Sequence, residues 1–171
     1  MRVLVTGGTG FIGSHTVREL IKQGHKTIVI DSTDNGKNKI FKEIFKCPLI
    51  LGDIGDKTLL HQILEGRHPL LKDTIHENNF VEAVIHFAGY INSYESIRNP
   101  LKYYSNNVAE SINLLEVICD EKIINKRLEK EPIPIVFSSS SATYGLTKDL
   151  PINEELFQKP INPYGKSKLM I

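Results

Sequence analysis

Short apolar runs alternate along the chain with longer stretches of helical periodicity. Val3–Thr6, Thr27–Ile30, Pro48–Leu51, Ala83–Phe87 and Ile135–Ser138 read as strands, since each is brief and mostly apolar and is bounded by turn-forming or polar residues. Helices are predicted from about Ser14 to Gln23, over Lys57–Leu64, over Pro100–Ile118 and from Pro163 onward. A shorter turn is expected at Ser96–Pro100, where the Asn99-Pro100 step disfavours continuous helix. Such alternation predicts βαβ units and a parallel sheet. Ala83–Phe87 and Ile135–Ser138 are apolar enough to predict burial on both faces. The polar stretches Glu65–Asn79 and Asp120–Pro134 fall where helix-to-strand loops belong. Both exceed the usual loop length of about two to six residues, which predicts surface insertions. Asn162 can cap the last helix and Pro163 suits its first turn. The sequence stops about two turns later on Leu169-Met170-Ile171, an apolar end that predicts a truncated portion of a longer protein.

A glycine loop gives this frame chemistry. Thr6-Gly7-Gly8-Thr9-Gly10-Phe11-Ile12-Gly13-Ser14-His15 follows the first strand and opens the first helix, satisfying GxGxxG from Gly8 and GxxGxxG from Gly7. Glycine permits the tight turn and lets the backbone approach a pyrophosphate, while the helix N-terminus offers N–H groups and partial positive charge. Asp31 ends the second strand about 20 residues on, where a carboxylate accepts from a ribose 2′-OH. No Arg follows it closely to receive a 2′-phosphate, so NAD is favoured over NADP. Asp53 with Ile54, and Phe87-Ala88-Gly89, stand at later strand ends on the ligand side of such a sheet. His86 lies inside an apolar strand without metal-type partners, which predicts a packed, hydrogen-bonded side chain. The fold class is α/β, a Rossmann-type doubly wound parallel sheet truncated after about five strands, with residues 1–171 as one NAD-binding domain.

Tyr164 and Lys168 are four residues apart and share a helix face. A phenol ordinarily titrates at about 10, and a neighbouring ammonium favours the phenolate, so the pair can act as a general base. Upstream, Phe137-Ser138-Ser139-Ser140-Ser141-Ala142-Thr143-Tyr144-Gly145 presents hydroxyls directly after an apolar strand. Gly165-Lys166-Ser167 resembles the end of a P-loop, but Pro160 stands where the earlier glycine is needed and no strand precedes it.

Charge and cysteine content narrow the partners. Lys plus Arg number 21 against 20 Asp plus Glu, so the surplus that would neutralise nucleic acid or an anionic membrane is missing. No apolar run approaches the roughly 18 residues of a spanning helix, and no secretory leader pattern opens the chain. Cys47 and Cys119 lie outside any CxxC pattern and no Asn-x-Ser/Thr site occurs, which fits the cytoplasm.

TGGTGFIGSH, DS after the second strand, GDI at Gly52–Ile54, VIHFAG at Val84–Gly89, YYSNN at Tyr103–Asn107, FSSSSATYG and PYGKSK together resemble the extended short-chain dehydrogenase/reductase family. Within it they look most like the UDP-glucose 4-epimerases. The resemblance runs the length of the chain and covers about the first half of such an enzyme. It implies NAD as cofactor and a UDP-sugar as substrate, interconverting UDP-glucose and UDP-galactose by oxidation and re-reduction at C4. It implies Tyr164 as base, Lys168 lowering the Tyr164 pKa and holding the nicotinamide ribose, and a serine at O4. Counting back from Tyr144 gives Ser140 and matching the SSSAT string gives Ser141; Phe137 and Tyr144 anchor the spacing without a gap, favouring Ser140. The implied cofactor-binding set is Gly7, Gly10, Phe11, Ile12, Gly13, Asp31, Asn35, Asp53, Ile54, Phe87, Ala88, Gly89, Asn107, Tyr164 and Lys168, with no metal. Ile91 departs from the family, whose members usually carry there a Lys that helps to hold the cofactor. Such enzymes often dimerise through helices that include the one bearing Tyr164, so a homodimer of the full-length protein is implied. The chain alone is expected not to epimerise. Another nucleotide-sugar epimerase, a 4,6-dehydratase and a non-catalytic NAD-binding module stay open as alternatives.

Overall fold

A computed structural model describes residues 1–32, 38–71, 80–127, 130–148 and 150–171. The chain divides into two compact units, Met1–Ala88 with Asn113–Phe137, and Gly89–Ile112 with Ser138–Ile171.

The first unit holds the sheet. Strands β1 (Arg2–Thr6), β2 (Lys26–Asp31), β3 (Leu49–Leu51), β4 (Ala83–His86) and β5 (Ile135–Phe137) lie in the order β3-β2-β1-β4-β5. Every pairing is parallel, with Val5 beside Val29 on one side and Ile85 on the other. Side chains alternate across the sheet and so feed two cores. Leu4, Ile28 and Ile30 pack with Leu60, Ile63 and Leu64 of α3 (Lys57–Leu64) and with Leu114, Val117 and Ile118 of α6 (Glu110–Ile118). Val3, Val5 and Val29 pack with Val17 of α1 (Phe11–Lys22) and Phe41 of α2 (Asn38–Phe45). Helices thus cover both faces, as a doubly wound sheet requires, and each fully buried Leu or Ile contributes about 1.5–3 kcal/mol. Thr6 Oγ1 and His86 Nδ1 are hydrogen-bonded at 2.6 Å, so the strand histidine is packed and partnered, as expected.

Some expectations are corrected. β4 and β5 are not buried on both faces: Ala83 and Ile85 are half-buried, and Val136 is 65% exposed because β5 is the edge strand. The stretch from Asp120 to Pro134 is no mere surface insertion, since it forms α7 (Glu121–Ile124) and sends Ile123 and Ile133 into the core. The stretch beginning at Glu65 likewise buries Leu71. Helix α1 starts at Phe11, three residues before the predicted Ser14, because Gly10 already serves as its N-cap. Helix α2 went unpredicted: Phe41 and Phe45, four apart, stack at 4.6 Å on a helix of only two turns.

The second unit is helical. Asn92 caps α4 (Ser93–Arg98) by accepting from the Glu95 N–H at 3.0 Å, and Pro100 restarts the chain as α5 (Pro100–Tyr104). The single helix expected over Pro100–Ile118 is three segments, because a π-helical stretch, Ser105–Ala109, separates α5 from α6. A 3₁₀ turn at Ser141–Thr143 and α8 (Pro163–Met170) complete the unit, with α8 packed on α4, α5 and that turn. Asn162 accepts from the Gly165 N–H at 2.7 Å and Pro163 fills the first turn, the cap read from sequence.

Candidate active site

In the first unit the glycine loop is built by its neighbours. Gly7 has φ +66°, and a Cβ there would stand 2.7 Å from the Ala88 nitrogen. A Cβ on Gly13 would stand 2.3 Å from the Gly7 carbonyl oxygen, so the first helical turn can sit against the loop only without side chains. The Gly7 N–H donates to the Ile30 carbonyl at 2.9 Å, tying the loop to β2. Thr9 then donates twice to one oxygen of Asp31, Oδ2, from its N–H at 3.0 Å and its hydroxyl at 2.6 Å. The Phe87 N–H donates to the Thr6 carbonyl and the Ala88 N–H to the Thr6 hydroxyl, both at 3.1 Å. The loop, Asp31 and Phe87-Ala88 are thereby brought together.

This arrangement fits a dinucleotide. The first bond within α1 runs from the Ser14 N–H to the Gly10 carbonyl. Gly10 gives no side-chain cap to the earlier N–H groups, and no acidic residue occupies the first turn. That end of the helix is therefore suited to a phosphate anion. Phe11, 83% exposed, and Ile12 stand beside it. Asp53 is exposed and its Oδ1 accepts from the Gly55 N–H at 2.7 Å, while Ile54 is a core side chain. Asn35 lies outside the described residues.

In the second unit the sequence reading missed how Tyr164 and Lys168 are held. Gly165 packs α8 on the serine segment so closely that a Cβ would stand 2.5 Å from the Ala142 carbonyl oxygen. Lys168 is buried and donates to the Ser138 carbonyl at 2.9 Å; burial pushes its pKa below the usual lysine value. Ser140 caps the 3₁₀ turn, its hydroxyl accepting from the Ala142 N–H at 3.2 Å, and its carbonyl accepts from the Thr143 hydroxyl at 2.8 Å. Ser140, Tyr164 and Lys168 are thus on segments in direct contact, with Tyr164 half-buried and Ser141 exposed.

Asn107 is buried and its carboxamide is engaged. Oδ1 accepts from the Tyr90 N–H at 2.8 Å, and Nδ2 donates to the Tyr90 carbonyl at 2.9 Å and to the Ser167 hydroxyl at 3.2 Å. Ser167 in turn donates to the Tyr164 carbonyl at 2.7 Å. Asn107 therefore links the Gly89-Tyr90 segment to the first turns of α8. Tyr103, fully buried, donates to Glu95 at 3.0 Å; burial first, and the Glu95 carboxylate second, push its phenol up to about 12. It stays protonated near neutral pH, unlike what a catalytic phenol requires. Ile91 is 73% exposed just before α4. Among the described residues no cluster of His, Cys, Asp or Glu has the arrangement of a metal site, and no helix is long and apolar enough to cross a membrane.

Comparison with known proteins shows the family. The profile of the family described as GDP-mannose 4,6 dehydratase matches residues 4–171. The UDP-glucose 4-epimerase of Lactobacillus helveticus is 42% identical over the whole chain, and UDP-glucose 4-epimerase 2 of Arabidopsis thaliana is 39% identical over 99% of it. The chain spans about 45% of the length of each. Among solved structures, the UDP-glucose-4-epimerase of Stenotrophomonas maltophila with NAD and formylated UDP-arabinopyranose superposes with a TM-score of 0.78 at 32% identity. That of Bifidobacterium longum with NAD⁺ and UDP gives 0.77 at 36%. Both alignments cover 99% of this chain and 46% of the other. The resemblance drawn from the motifs is borne out along the full sequence, and the chain belongs to the GDP-mannose 4,6 dehydratase family, as part of which it is similar throughout to UDP-glucose 4-epimerases.

Proposed function

We propose that this chain carries the NAD site and the Ser–Tyr–Lys chemistry of a UDP-glucose 4-epimerase, the whole protein interconverting UDP-glucose and UDP-galactose. The observation that carries the reading is the contact of α8 with the serine segment, made possible by Gly165 and tied by Lys168 to Ser138. The segments that carry Ser140, Tyr164 and Lys168 are in contact there, and a hydroxyl, a phenol and an ammonium are the groups needed to move a proton at a sugar oxygen. Two of the solved relatives hold NAD, which supports the same cofactor here.

The residues of the first unit that would hold NAD are the Gly7–Gly13 loop at the phosphates and Asp31 at the adenosine ribose, with Asp53, Ile54, Phe87 and Ala88 at the ends of the neighbouring strands. Bound there, NAD supplies a reversible acceptor for the hydrogen at C4 of the sugar. Tyr164 takes the 4-OH proton as C4 becomes a carbonyl and returns it when the sugar is reduced from its other face. Lys168, a buried cation, favours negative charge on the phenol oxygen as the proton leaves. Ser140 hydrogen-bonds O4, its hydroxyl keeping a proton to donate while it accepts from Ala142. A 4,6-dehydratase, which the family's name offers as the second reading, would need an acid beside the catalytic hydroxyl, and Ser138–Thr143 contains none.

Calorimetric titration of the purified chain with NAD⁺ tests the cofactor site. Binding is expected and Asp31→Ala is expected to weaken it by about tenfold, the loss of a charged hydrogen-bond acceptor. A folded chain that ignores NAD⁺ would overturn the reading. In a protein of the relatives' length, Tyr164→Phe is expected to lower UDP-galactose turnover by about 10²–10⁴-fold. The 171-residue chain alone is expected to show no turnover above that variant.

A further inference from the structure

Thr9 of the glycine loop engages Asp31 twice through the same oxygen, once from its backbone N–H and once from its hydroxyl. The 2.6 Å hydroxyl bond has the short length of a charge-assisted contact. Two donors on one oxygen restrain the carboxylate's rotation, and a carboxylate has about four acceptor positions in all. A carboxylate already oriented loses less freedom when it receives a further donor. We propose that Thr9 is a positioning residue for the adenosine ribose, holding Asp31 in the rotamer that accepts from the ribose 2′-OH of NAD. The inference deepens the NAD reading and rests on it.

The test compares NAD⁺ with its analogue lacking the adenosine 2′-hydroxyl, titrated calorimetrically against the chain. Thr9→Val removes the hydroxyl while keeping the β-branch and the backbone N–H. It is expected to weaken NAD⁺ binding by about three- to tenfold, and binding of the deoxy analogue by less than about twofold. Thr9→Ser, which restores the hydroxyl, is expected to return NAD⁺ affinity to within about twofold of wild type. In an Asp31→Asn background Thr9→Val should add less than about twofold, because the two residues act as one unit. Thr9→Val that binds NAD⁺ as wild type does, or loses both ligands equally, would overturn the inference, the second outcome marking a deformed loop. Those results leave wild-type binding intact and so differ from failure of the NAD reading itself, in which wild type binds neither ligand and the inference falls with it.

Discussion

Lys168 brings an ammonium into a nearly closed environment, where it donates to the Ser138 carbonyl. Burial disfavours the charged form, so its folded pKa lies below the unfolded value of about 10.4. Between those values the unfolded state binds more protons, and stability contributed at this site rises with pH. Wild type is therefore expected to gain on Lys168→Met in urea midpoint as pH is raised from neutral towards about 10.4. A constant difference across that range would mean that the ammonium pays no desolvation cost. The identity of Lys168 was legible from its spacing to Tyr164, but its burial was not. Its carbonyl partner lies 30 residues away, in a stretch that reads locally as an ordinary serine turn.

At the scale of elements, α8 shows what local sequence can and cannot carry. Its start was readable because Asn162 and Pro163 act on the helix they begin. Its placement was not, since Gly165 reads as a poor helix residue until the Ala142 carbonyl is seen 2.5 Å from where its Cβ would be. By helix propensity alone Gly165→Ala would stabilise by about 1 kcal/mol. The clash reverses the sign: the substitution is expected to destabilise by about 1–3 kcal/mol in urea unfolding, while Lys166→Ala on the exposed face stays within about 0.5 kcal/mol of wild type. Helix α6 and the segments before it make the same point. Helical periodicity ran through residues 100–118, yet the backbone there changes to π-helical geometry around Asn107, whose partners Tyr90 and Ser167 are 17 and 60 residues distant. A contact of that span leaves no trace in spacing along one helix.

Across the whole molecule the parallel pairing and the cover of helices on both faces followed from alternation, because βαβ connections of one hand admit few alternatives, whereas alternation alone does not set the order β3-β2-β1-β4-β5. The misread loops failed for the opposite reason: polar composition hid the few apolar residues, Leu71, Ile123 and Ile133, that anchor them. Glu65 belongs to the same region. Burial alone would raise its carboxyl, but hydrogen bonds from Arg67 at 2.8 Å and Lys126 at 3.0 Å outweigh it and hold the pKa below the usual carboxylate range. Its stabilisation is therefore present above the unfolded pKa of about 4.3 and is lost as pH falls through the lower folded value. The advantage of wild type over Glu65→Gln in thermal midpoint should shrink on acidification below about pH 4.3. An advantage that persists at full size would assign the cluster's effect to packing.

Neither compact unit is one continuous stretch: the chain passes from one to the other at Ala88/Gly89, at Ile112/Asn113 and at Phe137/Ser138. On the ribosome the sheet therefore cannot be finished until β5 at Ile135–Phe137 has emerged, by which time the first half of the helical unit has long been waiting for Ser138 onward. A single protease cut anywhere between Gly89 and Phe137 parts β5 from the strands before it, so no nick inside that span leaves either unit whole on one piece of chain.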